Sequence, residues 1–130
     1  VLGGEIPEGA GAFYPPTVLV DVPHDAPLVR QEVFGPVAPV VVAEDADEAI
    51  RIANDSDFGL SAALWSRDLA KAEALAPRIQ TGAVFINGMS VSDPRVPIGG
   101  IKQSGYGREL SHFGLKEFTN AQLVWVKGQG

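Results

Sequence analysis

A carboxylate and an aromatic side chain stand two positions apart near the start of the chain, at Glu32 and Phe34. In an extended segment such residues point to the same side, so one ligand could contact both. The carboxylate would accept hydrogen bonds from hydroxyl groups, and the ring would offer a flat apolar face. Gly35 and Pro36 follow and predict a turn. Without further context, the simpler interpretation is a solvated glutamate beside a core phenylalanine.

A second candidate for chemistry is the glycine-rich stretch from Gly99 to Gly107. It begins like a phosphate-binding loop, but Tyr106 and Gly107 stand where the phosphate-binding lysine and the metal-binding hydroxyl would be. A dinucleotide fingerprint fails as well, because Leu110 replaces its third glycine. We therefore expect these glycines to allow tight turns and close backbone packing.

Metal and thiol chemistry have little support in the sequence. The two histidines, His24 and His112, are far apart and have no metal-site spacing, so we expect satisfied polar residues and no metal. Cysteine is absent, which excludes a thiol nucleophile, thiolate ligands and disulfides from this chain. Asn54 heads a match to the glycosylation acceptor pattern, which we interpret as coincidence because nothing indicates secretion.

The elements that must position these residues alternate between strand and helix. Apolar β-branched runs predict strands, and acidic first turns with apolar residues at helical spacing predict helices. Short joints between them are typical of βαβ units, so we expect an α/β fold with a parallel sheet. The predicted strands cover residues 40–42, 61–65 and 82–86, and the predicted helices cover 44–54 and 69–79.

The two ends of the chain are less regular. We predict a short strand at 17–20, a loop at 21–27, a long irregular loop at 87–107 and a short helix at 111–118. Long loops within compact domains are often functional. A last strand, at 122–127, has apolar residues on both faces, and a partner subunit is one way to cover it.

Composition restricts the possible partners. The 130 residues carry a net charge of -6 with no run of Lys or Arg, which argues against nucleic acid and anionic membranes. The 45% of hydrophobic residues is enough for a sizeable core. No apolar stretch could span a bilayer and no signal peptide is present, so we expect a cytoplasmic protein. The first residue is not Met, and we expect the chain to be part of a longer fold.

Four ordered segments resemble the carboxy-terminal quarter of the aldehyde dehydrogenase superfamily. They are EVFGPV at 32–37, ANDSDFGLSA at 53–62, TGAVFIN at 81–87 and PIGGIKQSGYGRE at 97–109. The resemblance implies NAD or NADP as cofactor and a small aldehyde as substrate. It also implies that Glu32 accepts hydrogen bonds from the nicotinamide ribose and that Phe34 packs near the nicotinamide ring.

The resemblance also implies a substrate tunnel, lined by a loop that starts at Asn87. Ile98 falls where many members carry Phe, which should reshape the aldehyde entrance. Residues 86–89, 92–96 and 108–118 are most similar to succinate-semialdehyde dehydrogenases, which must hold a substrate carboxylate. Ser92 and Arg95 are candidate donors to it. In the alternative interpretation, Ser92 caps a turn and Arg95 pairs with a surface acid.

No catalytic residue is expected within this chain. By the resemblance, the nucleophilic Cys, the general-base Glu and the adenine-binding Rossmann unit lie upstream. Residues 1–118 would be part of the catalytic domain, and 119–130 an oligomerisation strand and tail that forms a homodimer or homotetramer. The alternatives are a stand-alone truncated assembly or binding module, and an aldehyde dehydrogenase of other specificity.

Overall fold

The computed structural model describes residues 2–128. Within them the chain forms two compact units, which divide between Ser56 and Asp57. The first unit contains β1 (Thr17–Leu19), α1 (Pro27–Arg30), β2 (Val37–Pro39) and α2 (Ala46–Asn54). The second contains β3 (Phe58–Gly59), β4 (Ser61–Leu64), α3 (Leu69–Leu75), a 3-10 turn (Ala76–Arg78), β5 (Ala83–Ile86), β6 (Ile101–Lys102) and α4 (Ser111–Glu117).

Parallel pairing of β1 with β2 organises the first unit, with Thr17 opposite Val37. The predicted strand at 17–20 is confirmed, but the buried strand predicted at 40–42 is wrong. Pairing ends at Pro39 because β1 itself ends at Leu19, and Val42 is 77% exposed. A run of β-branched residues indicates a propensity to form a strand, whereas the length of the neighbouring strand determines where the backbone pairing ends.

The helix α2 confirms the helix predicted at 44–54. Asp45 is its N-cap, and its carboxylate accepts a hydrogen bond from the Glu48 amide at 2.8 Å. The Glu48 carboxylate in turn accepts from the Glu44 amide at 2.7 Å. The bond from Asp45 satisfies the Glu48 amide, which the first turn of a helix leaves without a helical partner. Ile50 is the buried residue of α2.

The second unit is built on a βαβ motif, as predicted. Strands β4 and β5 pair in parallel over four residues, and α3 connects them and buries Ala72 completely. Asp68 caps α3 by accepting from the Lys71 amide at 3.0 Å. The helix predicted to reach residue 79 changes to a 3-10 turn at Ala76, because Pro77 cannot donate a helical hydrogen bond.

The loop predicted at 87–107 contains some regular structure. Its residues Ile101–Lys102 pair antiparallel with β3, and Ile98 forms an antiparallel bridge with Glu109. Ladders this short have no detectable hydrophobic period, so the sequence pattern could not predict them. The four-residue helix α1, which begins at the end of the loop predicted at 21–27, was missed for the same reason.

The chain ends in exposed apolar residues. Helix α4 confirms the helix predicted at 111–118, whereas residues 119–128 form no helix or strand. Leu123, Val124, Trp125 and Val126 are 75–84% exposed. The strand predicted at 122–127 was expected to pair with another subunit, so it stays a prediction. The domain boundary after residue 118 also stays a prediction. Residues 129 and 130 of the predicted tail lie outside the described residues.

The longest of the helices in residues 2–128 has nine residues, and none has the length and apolar content needed to cross a bilayer.

Candidate functional site

The predicted cofactor segment, Glu32 to Phe34, follows α1 in the first unit. Both side chains are exposed, Phe34 to 94%. The segment ends in the predicted turn, where the Gly35 amide donates to the Val33 carbonyl at 3.1 Å and the Val37 amide donates to the Gly35 carbonyl at 2.8 Å. Both candidate cofactor contacts are therefore open to a ligand just before the chain enters β2.

The carboxylate of Asp55 holds the loop and helix that precede this segment. It accepts a hydrogen bond from His24 Nε2 at 2.7 Å and forms an ion pair with Arg30 at 2.9 Å. The Arg30 guanidinium also donates to the Asp55 carbonyl at 2.7 Å. The hydrogen bond from His24, and then that from Arg30, hold the pKa of Asp55 below its ordinary value of 3.8.

Asp55 was not a candidate from sequence, where it was part of the glycosylation match. It lies 31 positions from His24 and 25 from Arg30. No local pattern links residues at such separations. The expectation that His24 is a satisfied polar residue is confirmed at Nε2, while its buried Nδ1 has no hydrogen-bond partner among the described residues.

The predicted substrate loop begins at Asn87, in the second unit. The Asn87 side chain accepts from the Ser66 amide at 2.8 Å and donates to the Ser66 carbonyl at 2.9 Å. These two bonds connect the ends of β4 and β5 beyond their last backbone pair. The backbone of Asn87 has a φ of 53°, a left-handed conformation that asparagine tolerates better than most residues. The start of the loop is thereby fixed on the βαβ motif.

Ser92 and Arg95 both lie on the exposed part of this loop. The Arg95 Nε donates to both carboxylate oxygens of Asp93, at 2.9 and 3.2 Å, and the Arg95 amide donates to one of them at 2.9 Å. The guanidinium lowers the pKa of Asp93, and the carboxylate raises the pKa of Arg95. Arg95 thus pairs with a surface acid, as the alternative interpretation expected.

Ile98 lies at the other end of the loop and lines a cavity of about 590 Å³. Its backbone is fixed by two bonds to Glu109, at 2.9 and 2.7 Å. Ser92 and Arg95 do not line this cavity. Other lining residues are Leu60, Arg108, Leu110 and Phe118. Of the three substrate candidates, Ile98 is therefore the one that lines this cavity.

The glycines near the cavity have the roles predicted for them. Gly105 and Gly107 have φ values of 108° and 82°, which other residues rarely adopt. A Cβ at Gly82 would lie 1.6 Å from the Gly99 carbonyl oxygen, and a Cβ at Gly99 would lie 2.6 Å from the Gly107 oxygen. Turns and close backbone packing explain these glycines without a phosphate.

Comparison with known proteins tests the resemblance inferred from the four segments. The model of the aldehyde dehydrogenase family matches residues 1–124. The chain belongs to the aldehyde dehydrogenase family. The α/β architecture with parallel strands is the one found in this family's solved structures.

Among curated relatives of this aldehyde dehydrogenase chain, "Succinate semialdehyde dehydrogenase [NAD(P)+] Sad" of Escherichia coli is 54% identical over 125 residues. A "Probable succinate-semialdehyde dehydrogenase [NADP(+)]" of Synechocystis is 52% identical over 124 residues. These alignments cover 96% and 95% of the chain but 27% of each relative. The chain therefore spans about a quarter of the length of these relatives.

Two solved structures of the family are also similar. Succinic semialdehyde dehydrogenase from Streptococcus pyogenes, in complex with NADP+, superposes with a TM-score of 0.90 at 42% identity. Betaine aldehyde dehydrogenase from Staphylococcus aureus, in complex with NAD+, superposes with a TM-score of 0.85 at 40% identity. The matches cover 97% and 98% of this chain and 28% of each of those chains.

Proposed function

We propose that this chain is the carboxy-terminal part of a cytoplasmic NAD(P)-dependent aldehyde dehydrogenase that oxidises succinate semialdehyde to the acid. The observation that carries the proposal is the 54% identity to the E. coli succinate semialdehyde dehydrogenase over 125 residues. That alignment covers 96% of the chain and so includes most of the cofactor segment and the substrate loop. The full-length protein that contains the chain is called the complete enzyme below.

The cofactor would contact Glu32 and Phe34. The exposed Glu32 carboxylate has only acceptor atoms, which suit the two hydroxyl donors of a ribose. Phe34, at 94% exposure, offers a ring face that a flat heterocycle could cover. The residues present therefore fit a nicotinamide nucleotide. When bound, that cofactor supplies the hydride acceptor, while Glu32 and Phe34 orient it.

The substrate carboxylate would be held by Ser92 and Arg95, and Ile98 would shape the entrance. Arg95 engages Asp93 through Nε and one terminal amino group, so a substrate carboxylate would share a guanidinium that already has one anionic partner. A guanidinium has five N–H donors and can serve two carboxylates. Asp93 would then orient Arg95 for the substrate.

The covalent chemistry requires residues outside these 130. Thioester formation needs a thiolate, and the sequence contains no cysteine. We therefore expect the chain alone to be inactive toward aldehydes. We further propose a homodimer or homotetramer in which residues 122–127 pair with a neighbouring subunit.

Replacing Arg95 by Gln in the complete enzyme tests the substrate. Loss of a charge-assisted hydrogen bond should raise the KM for succinate semialdehyde about 10- to 100-fold and leave the KM for butanal nearly unchanged. Steady-state kinetics with both aldehydes measure this difference. Arg67→Gln, which removes an exposed charge from another loop, is the matched control. An equal rise in both KM values would contradict the carboxylate contact.

A stand-alone assembly module is the second candidate, favoured by the exposed apolar residues 123–126. Native mass spectrometry of the 130-residue chain, together with titration by NAD+ and NADP+, separates the two proposals. A stable homodimer without affinity for either nucleotide would favour the module.

A further inference from the structure

One carboxylate contacts both sides of the short helix before the cofactor segment. Asp55 follows α2 directly and is its C-cap residue. Its side chain reaches His24, on the amino-terminal side of α1, and Arg30, the last residue of α1. Because these contacts lie on either side of α1, Asp55 fixes the helix at two points.

Helix α1 is short and has few stabilising features of its own. It consists of four residues, none of them buried, and Ala26 at its N-cap makes no side-chain hydrogen bond. Helices of this length are unstable in isolation. The loop before α1 spans residues 20–26, includes His24, and contributes no helix or strand. The backbone hydrogen bonds of α1 lie within the helix and its loop, whereas the contacts of Asp55 join His24 and Arg30 to the end of α2.

We propose that Asp55 is a positioning residue for the cofactor segment, acting through Arg30 and His24. Arg30 precedes Glu32 by two residues, a distance of at most about 7 Å along an extended chain. Gln31, which lies between them, is the C-cap of α1 and its amide donates to the Pro27 carbonyl at 2.8 Å, so the chain leaves for Glu32 directly from the helix. The inference rests on the proposed function, because it assumes that Glu32 and Phe34 contact NAD(P).

The chemistry of the contact explains the advantage of a carboxylate at this position. Oδ2 of Asp55 accepts from two N–H donors at once, His24 Nε2 at 2.7 Å and Arg30 at 2.9 Å. An asparagine oxygen could accept from the same two donors, but it carries no negative charge, and hydrogen bonds to an ionised acceptor are roughly twice as strong as those to a neutral one. Asp55→Asn therefore keeps the size of the side chain and weakens both contacts.

The test compares Asp55→Asn and Arg30→Gln with Asp25→Asn in the complete enzyme. Asp25 is exposed and belongs to the same loop, so its variant is matched in chemistry and location. Hydrogen exchange of the amides in residues 27–36 measures the anchor itself. Fluorescence titration with NAD+ and NADP+ measures cofactor affinity, and steady-state kinetics measure the KM for aldehyde. Glu32→Gln is measured alongside as a test of the ribose contact.

We expect exchange in residues 27–36 to quicken at least severalfold in Asp55→Asn and Arg30→Gln. The Kd of the nucleotide should rise about 2- to 5-fold, the range for exposed ion pairs, with the KM for aldehyde unchanged. Asp25→Asn should behave as wild type in all three measurements. The double variant Asp55→Asn/Arg30→Gln should be no weaker than the worse single variant, because both remove the same contact.

Two other outcomes separate this inference from the proposed function. If Glu32→Gln weakens nucleotide binding while Asp55→Asn binds like wild type, the positioning role is overturned and the cofactor assignment stands. If Glu32→Gln has no effect on binding, the proposed function of Glu32 fails, and the positioning role falls with it even where exchange quickens. Unchanged exchange in Asp55→Asn overturns the anchor directly.

Discussion

Two aspartates, Asp55 and Asp93, form ion pairs with nearby arginines. Asp93 binds Arg95 two positions away, and this pair was open to prediction because both residues lie in one turn. Asp55 binds His24 across 31 positions, and only the fold could reveal that contact. At the residue scale, local sequence therefore predicts which side chains carry charge, whereas tertiary structure decides which of them meet.

The lowered pKa of Asp55 predicts a pH dependence of stability. A carboxyl group whose folded pKa lies below 3.8 stabilises the fold fully above that value, and the contribution is lost as pH falls through the folded pKa. The difference in urea midpoint between wild type and Asp55→Asn should therefore shrink as the pH falls below about 4. Urea unfolding of the complete enzyme across this range measures it.

Asp25→Asn is again the control, since its exposed carboxylate lies in the same loop. A difference that persists undiminished to about pH 3 would show that Asp55 stabilises the fold through packing and not through its charge.

At the scale of elements, the sequence predicted the helices whose caps and apolar residues lie close together in the chain. Helices α2 and α3 were found because their caps, Asp45 and Asp68, and their apolar stripes lie within one or two turns. The position of β2 was missed by three residues because β1, and not the valine run, determines where pairing ends. The two-residue strands β3 and β6 have no period to detect.

The candidate residues divide in the same way. The resemblance supplied Glu32, Phe34 and Ile98, whose roles stay predictions, and the composition predicted the glycine turns. The cavity lining from Leu60 and Phe118 was not predicted, because those residues meet Ile98 only through the folding of the second unit. The Asn87 contact with Ser66 spans 21 positions and was likewise invisible in the sequence.

The Asn87 amide is predicted to stabilise the end of the βαβ motif. Asn87→Gly keeps a residue that tolerates the φ of 53° and removes both bonds to Ser66. We expect a loss of about 1–3 kcal/mol in the free energy of unfolding, measured by denaturant titration of the complete enzyme.

Asn87→Ala should cost more than Asn87→Gly, because it adds the strain of a left-handed backbone to the same loss of bonds. Equal stability of Asn87→Gly and wild type would mean that water replaces the amide without cost.

At the scale of the whole molecule, we predict a homodimer or homotetramer. The exposed residues 123–126 lie where a strand shared with a neighbouring subunit is proposed. Val124→Pro in the complete enzyme would disfavour that strand, because proline lacks the N–H that a ladder needs. We expect a shift from dimer or tetramer toward monomer in size-exclusion chromatography with light scattering.

Val124→Thr is the matched control, since threonine keeps the β-branched shape and the backbone donor. An unchanged oligomer in Val124→Pro would place the subunit contact elsewhere on the molecule.

The proposed substrate loop is attached to the scaffold at both ends, and its middle is bonded through Ser90 to Ser61 at 3.2 Å and through the Pro94 carbonyl to the Ser111 amide at 3.0 Å. One end is held by the Asn87 amide on Ser66, and the other by the backbone pair between Ile98 and Glu109. A loop grafted from another family member between the two fixed ends therefore has to supply acceptors at positions 90 and 94 for Ser61 and Ser111. On the proposed function, variation at the other positions of the loop would change aldehyde preference and leave the βαβ motif intact.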